Sequence, residues 1–180
     1  MSGYSNGGGY GDAIASPHGA WHARLRPAVG CIIDCVGPFT RWGGYDASLV
    51  PYITEVDVYL DVAWAATHPD VRFDLTSAIN NDAGDHRRDF AFNAGTDPGG
   101  LPQFVISASN NTGRANSDPS NPARSPQTIA VSGWYTFRHT FRDQAGVLAV
   151  DLHVVNHAGV VVAQWTLSDP SDVMAVVGGN

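Results

Sequence analysis

The polar side chains best suited to chemistry alternate with apolar residues. In an extended segment, this alternation places the polar side chains on one side and the apolar ones on the other. Asp151 and His153 are two residues apart, and Arg138 precedes them in a segment with the same alternation. A histidine beside a carboxylate can act as a general base, and an arginine can neutralise a sugar acid. A solvated surface with one cross-strand ion pair has the same composition, so both interpretations stay open.

A second outward set is Asp57, Tyr59 and Asp61. Tyr59 offers a ring that can stack on a sugar, and both carboxylates can accept hydrogen bonds from hydroxyl groups. Four residues along a strand separate two Cα atoms by about 13 Å, which is too wide for the paired carboxylates of a glycosidase. The set therefore predicts either a saccharide subsite or plain solvated surface, with Trp42 or Trp64 as a further stacking aromatic.

An oxygen-rich stretch supplies the candidate metal ligands Asn80, Asp82 and Asp85. Calcium prefers carboxylate and amide oxygens, although the spacing here lacks the order of an EF-hand loop. An ordinary Asx-rich turn has the same composition. We therefore expect either no cofactor or calcium.

Cys31 and Cys35 are compatible with either a local disulfide or two buried thiols. Zinc would need more ligands than this pair offers.

Arg138, Asp151 and His153 lie within residues 134–167. The pattern of this segment predicts three consecutive strands joined by two Gly-containing turns of four residues. Strict alternation places one row on a core and the other toward solvent. The predicted shared core consists of Phe137, Phe141, Leu148, Val150, Leu152, Val154, Trp165 and Leu167. His139 belongs to the same apolar row, so we expect a hydrogen-bonded core or rim histidine there.

The remaining chain also favours strands joined by turns. With no Lys and a single Glu, it lacks two strong surface helix formers, while twenty Gly and eleven Pro favour turns. Further strands are predicted over 55–62, 88–94, 103–109 and 126–132, and one short helix over 74–79. About eight short strands predict an all-β, antiparallel two-sheet sandwich. We expect a Gly-rich, flexible or loosely packed segment over 1–36. The sandwich domain should occupy 37–180. The sequence stops directly after an apolar strand, which is consistent with truncation of the domain at its C-terminus.

The segment Gly133-Trp134-Tyr135-Thr136-Phe137, followed by alternating strands around a Gly turn and then Trp165, resembles the concanavalin A-like lectin/glucanase superfamily. The resemblance covers residues 45–177 and implies a jelly-roll sandwich with one concave face, which in relatives often binds or cleaves polysaccharide. Glu55 is the only Glu, so the E-x-D-x-x-E motif of the glucanases is absent. The R-x-E-x-R and Q-I/V-H strand motifs of jelly-roll alginate lyases are absent too.

Net charge and hydropathy indicate which classes of binding partner are disfavoured. The net charge is −7, all ten basic residues are Arg, and the close pair Arg87-Arg88 is flanked by acids. This balance disfavours nucleic acid and anionic membranes as partners. No apolar run approaches about 18 residues, so no membrane insertion is expected. The N-terminus also lacks the basic and apolar regions of a signal peptide.

The sequence therefore predicts an extracellular or cell-surface, lectin-like jelly-roll domain that binds a polysaccharide or glycan. Its predicted ligand-binding residues are Asp57, Tyr59, Asp61, Arg138, Asp151 and His153. A polysaccharide lyase or glycosidase on the same fold remains an alternative, as does a structural or adhesion module without a small ligand. Nothing in the sequence indicates an oligomeric state.

Overall fold

The computed structural model describes residues 4–5, 14–18, 22–23, 51–81, 83–110 and 118–178. Extended segments predominate in these residues, as the alternating apolar pattern predicts. The strands are β1 (Tyr4–Ser5), β2 (His22–Ala23), β3 (Tyr52–Leu60), β4 (Arg72–Asn81), β5 (His86–Thr96), β6 (Phe104–Ser109), β7 (Gln127–Ile129), β8 (Gly133–Gln144), β9 (Val147–Asn156), β10 (Val161–Val173) and β11 (Val177–Gly178). The described helical segments are α1 (Val62–Thr67) and a short 3-10 turn, η1 (Pro122–Arg124).

The chain divides into two compact units, Met1–Arg41 and Trp42–Asn180. In the first unit, β1 and β2 form a two-stranded antiparallel ladder. In the second unit, the described strands form two antiparallel sheets with the orders β10-β9-β8-β3 and β11-β4-β5-β6-β7. We call these the four-stranded and the five-stranded sheet. The predicted fold class, an all-β antiparallel two-sheet sandwich, is confirmed.

The three strands predicted over residues 134–167 are present as β8, β9 and β10. From Tyr135 to Arg142, β8 alternates between buried and partly exposed side chains. The first hairpin turns on Ala145 and Gly146, whose φ angles are 55° and 86°. The strands pair up to Gln144 and Val147. The turn is thus shorter than predicted, because a two-residue turn with positive φ at both positions matches the twist of the flanking strands.

The core lies between the two sheets, where aromatic side chains of β5 meet those of β8. The rings of Phe90 and Phe141 meet edge-on with centroids 5.6 Å apart, and those of Phe92 and Phe137 meet in the same way at 5.1 Å. All four side chains are fully buried. The predicted shared core is confirmed: six of its eight members are buried, and the other two, on β10, pack against them partly buried.

The helix predicted over 74–79 is wrong, because that segment lies within β4. Phe73, Leu75 and Ile79 pack in the core cluster. The intervening Asp74 belongs to the opposite side of the sheet, since successive side chains of a strand point to opposite faces. Period-two alternation across this segment therefore decides its structure over the local helical tendency.

The strand predicted over 55–62 begins earlier, at Tyr52, and ends at Leu60. Helix α1 follows at once, because Asp61 caps it: its carboxylate accepts hydrogen bonds from the backbone N–H groups of Ala63 (3.0 Å) and Trp64 (3.1 Å). Aspartate is among the preferred N-cap residues. α1 connects the four-stranded sheet to the five-stranded sheet at one end of the sandwich.

The segment after α1 is held closely against β5. Thr96 donates its backbone N–H to the oxygen of Val71, and its hydroxyl accepts from the Val71 N–H, both at 2.9 Å. A Cβ atom on the neighbouring Gly95 would lie only 2.5 Å from the same Val71 oxygen. Glycine is therefore required at this position by the close approach of backbone.

A cluster of charges joins the two sheets where β5 begins and β10 ends. The Asp172 carboxylate is buried and accepts hydrogen bonds from Nε of Arg87 (2.8 Å) and Nε of Arg88 (2.5 Å). Arg88 also contacts Asp169 at 3.0 Å. The close basic pair of the sequence thus binds distant acids of β10. A buried carboxylate with two cationic partners satisfies the requirement that buried charges be paired.

Candidate functional site

The outward side of the four-stranded sheet carries most of the predicted ligand-binding residues. We call it the polar face, and its members from β3, β8, β9 and β10 are Glu55, Asp57, Tyr59, Trp134, Thr136, Arg138, Thr140, Arg142, Asp151, His153, Gln164 and Thr166. The strand register sets these side chains in rows across the sheet. Because neighbouring strands lie about 4.8 Å apart, side chains of one row are within reach of each other.

The central row of the polar face runs Glu55, Arg138, His153 and Gln164. The Arg138 guanidinium donates from Nε to the Glu55 carboxylate, and the two side chains are 38% and 44% exposed. A ligand lying on the sheet could therefore reach both groups. An exposed ion pair contributes little to stability, about 0–1 kcal/mol, so a role in folding does not account for it well.

The adjacent row centres on Asp151. Its carboxylate accepts two hydrogen bonds from Arg142, at 2.7 and 3.1 Å, and one from the Thr166 hydroxyl at 2.7 Å. The bonds from Arg142 and then Thr166 hold the pKa of Asp151 below its usual value, against the effect of burial. Asp151 is thus an ionised acceptor at neutral pH. Its arginine partner is Arg142, whereas Arg138 faces His153 and binds Glu55.

One end of the polar face is aromatic. Tyr59 and Trp134 are cross-strand neighbours whose rings meet edge-on with centroids 5.5 Å apart. In the next row, the Thr136 hydroxyl donates to Asp57 at 2.6 Å. Trp134 and Arg138 are four residues apart on β8, a span of about 13 Å. The face therefore presents a ring pair at one end and charged hydrogen-bonding groups toward its centre.

Asp61 was predicted to share the outward row, and this prediction is wrong. The strand ends at Leu60, and the Asp61 carboxylate is turned to the first backbone N–H groups of α1. A capping aspartate compensates unsatisfied donors of the first helical turn. Asp61 is close to Tyr59 in sequence, but its side chain caps the N-terminus of α1.

The candidate metal ligands fall at the turn between β4 and β5. Asn80 is buried, whereas the exposed side chain of Asp85 lies within hydrogen-bond range of Asn81 at 3.4 Å. Asn81 organises the turn, since its side-chain oxygen accepts from the N–H groups of Ala83 (3.0 Å) and Asp85 (2.8 Å). Asp82 lies outside the described residues. Within the described residues, no three His, Cys, Asp or Glu side chains group as metal ligands would.

His139 lies on the other side of β8, in the core. Nε2 donates to the backbone oxygen of Phe90 (3.0 Å), and Nδ1 lies 3.3 Å from the Thr54 hydroxyl. Burial lowers the pKa of His139 to about 4, although the bond to Phe90 acts in the opposite direction. The expectation of a hydrogen-bonded core histidine is confirmed. His139 is neutral at physiological pH and separated from the polar face by the sheet itself.

Sequence reasoning missed a buried polar row on the outward side of the five-stranded sheet. Asp74, Asn93 and Ser107 are cross-strand neighbours on β4, β5 and β6. Asn93 donates to Asp74 at 3.0 Å and accepts from Ser109 (2.6 Å) and from Arg124 (3.1 Å). The alternation of small and polar residues along β5 and β6 is visible in the sequence. The hydrogen-bond partners of these residues cannot be read from the sequence, because Arg124 reaches Asn93 from η1, 31 residues further along the chain.

The described residues contain no helix long and apolar enough to cross a membrane. Trp42, Cys31 and Cys35 lie outside the described part of the chain. Comparison with protein-family models, curated proteins and solved structures finds no match for this chain.

Proposed function

We propose that this protein is an extracellular, lectin-like domain that binds a glycan without cleaving it, through the polar face of its four-stranded sheet. The observation that supports this most is the Tyr59–Trp134 ring pair beside exposed hydrogen-bonding rows on one continuous surface. Sugar recognition needs apolar surface for ring faces together with acceptors and donors for hydroxyl groups. The carboxyl oxygens of Glu55 and Asp151 supply acceptors, and Arg138 supplies donors.

The charge arrangement favours a neutral glycan over a uronate. Arg138 already bonds Glu55, and Arg142 already bonds Asp151. With Asp57 included, the three carboxylates outnumber the two guanidinium groups of the polar face. A sugar carboxylate would have to displace one of these internal partners and meet the repulsion of the others, so electrostatics disfavours it.

Binding to such an open surface should be weak, on the order of micromolar to millimolar dissociation constants, because sugar–protein hydrogen bonds mostly replace hydrogen bonds to water. Titration calorimetry should compare neutral β-glucan, xylan and galactomannan with the polyuronates alginate and polygalacturonate. The variants are Arg138→Ala and Tyr59→Ala, with His157→Ala in the exposed β9–β10 turn as the matched control. We expect both site variants to weaken binding to a neutral polymer about tenfold and the control to leave it unchanged.

Two results would contradict this function. Equal binding by both site variants and the wild type would place the ligand away from the polar face. Release of reducing ends or unsaturated products, abolished by His153→Ala, would instead establish an enzyme. The product assay should therefore accompany the titration on the same polymers.

A further inference from the structure

A second aromatic platform lies on α1, outside the polar face. Trp64 and His68 stack with ring centroids 4.3 Å apart and planes 15° apart. Trp64 is 41% exposed, which is unusual for the most area-rich apolar side chain. The His68 ring is held in place, since Nδ1 lies 2.9 Å from both the Trp64 backbone oxygen and the Thr67 hydroxyl.

Both ends of α1 are anchored, so this platform is rigid. At the start, the Val62 N–H donates to the Ser132 hydroxyl at 3.0 Å, and the Asp61 carboxylate accepts from the N–H of Trp64 itself at 3.1 Å. At the end, the backbone oxygen of His68 accepts from the Thr96 hydroxyl of β5. A platform ordered before binding loses little side-chain freedom when a ligand stacks on it.

The platform is close to the aromatic end of the polar face. Tyr59 lies two residues before the cap of α1, and Ser132, which contacts the first turn, lies two residues before Trp134. Tyr59 and Trp64 are five residues apart, so their Cα atoms are separated by at most about 17 Å. An extended polysaccharide bound at the Tyr59–Trp134 pair can span a distance of that size.

We propose that the Trp64–His68 stack is a second subsite for the neutral glycan, so that the domain binds an internal stretch of an extended polysaccharide and not a single terminal sugar. This inference rests on the proposed function. One ring pair lies on the sheet and the other on the helix, and an extended chain can occupy both. The binding free energies of the two subsites then combine only for chains that are long enough to occupy both, so affinity should rise with chain length.

The test is a length series. β-Glucan, xylan and galactomannan, with fragments of each from disaccharides upward, are titrated against the wild type and Trp64→Ala. Trp64 is exposed and Ala is the best helix former, so this variant should fold normally. Leu101→Ala is the matched control, because Leu101 is 55% exposed and follows Gly100, where a Cβ would lie 3.7 Å from the Ala66 oxygen of α1.

We expect Trp64→Ala to weaken binding of the long chains about tenfold and to leave disaccharide binding within about twofold of the wild type. Unchanged binding of long chains by Trp64→Ala would overturn the second subsite while leaving the polar face as the site. An equal loss in Leu101→Ala would also overturn it, by showing only non-specific apolar contact. If the wild type binds none of the three polymers, the proposed function fails, and this inference fails with it.

Discussion

His139 makes the stability of this protein sensitive to mild acid. Its side chain is buried beside Phe92, its Nε2–H is bound to the Phe90 oxygen, and burial lowers its pKa from 6.5 to about 4. The unfolded chain takes up a proton on this histidine as the pH falls below about 6.5, while the folded protein stays neutral down to about pH 4. Stability is therefore full above pH 6.5 and declines as the pH falls toward 4.

The size of the effect follows from the shift. Lowering the pKa of His139 from 6.5 to about 4 corresponds to about 3 kcal/mol in total, of which about 2 kcal/mol is lost between pH 7.5 and pH 5. Carboxyl groups with lowered pKa values, such as Asp151, protonate at lower pH and contribute little in this window. The loss is a large share of the 5–15 kcal/mol that is typical of a domain.

Urea unfolding at pH 7.5, 6.5, 5.5 and 5.0 measures this loss. His139→Gln should keep a neutral hydrogen-bonding side chain in the core and should therefore lose about 2 kcal/mol less than the wild type over the same range. His157→Gln, in the exposed β9–β10 turn, is the control and should follow the wild type. If the wild type and His139→Gln decline in parallel, the buried histidine is not the acid-sensitive group and the reasoning is wrong.

Three further predictions concern the close packing at Gly95, the charge cluster around Asp172 and the redox state of the two cysteines. Gly95→Ala should destabilise by about 2 kcal/mol in thermal unfolding because its Cβ meets backbone, whereas Gly133→Ala has open space to 3.9 Å and should stay within about 0.5 kcal/mol; equal effects would refute the close approach. Asp172→Asn should cost about 2 kcal/mol by leaving two guanidinium groups without their shared carboxylate, and a neutral result would show the cluster to be solvated. Mass spectrometry should show a deficit of about two daltons if Cys31 and Cys35 form a disulfide, while two alkylatable thiols would contradict an oxidising, extracellular location.

Alternation along the chain determined the architecture because it reports directly on burial. In β8, each buried residue from Tyr135 to Phe141 is separated from the next by a partly exposed one, so the sequence alone assigned strand, core side and outward side. The same rule correctly placed His139 in the core. The helix predicted over 74–79 was wrong because short polar residues obscured the alternation there, and the outward position predicted for Asp61 was wrong because this residue caps α1.

Pairing between strands, in contrast, was decided only by the tertiary structure. The sequence identified Arg138, Asp151 and His153 as outward residues of one face, but the register gives Arg138 to Glu55 and Asp151 to Arg142. The Arg87-Arg88 pair likewise binds Asp172, whose partners lie about eighty residues away in sequence. Periodicity specifies which side of a strand a residue occupies. Ion-pair partners and hydrogen-bond networks depend on which strands become neighbours, and that is set by the packing of the whole sandwich.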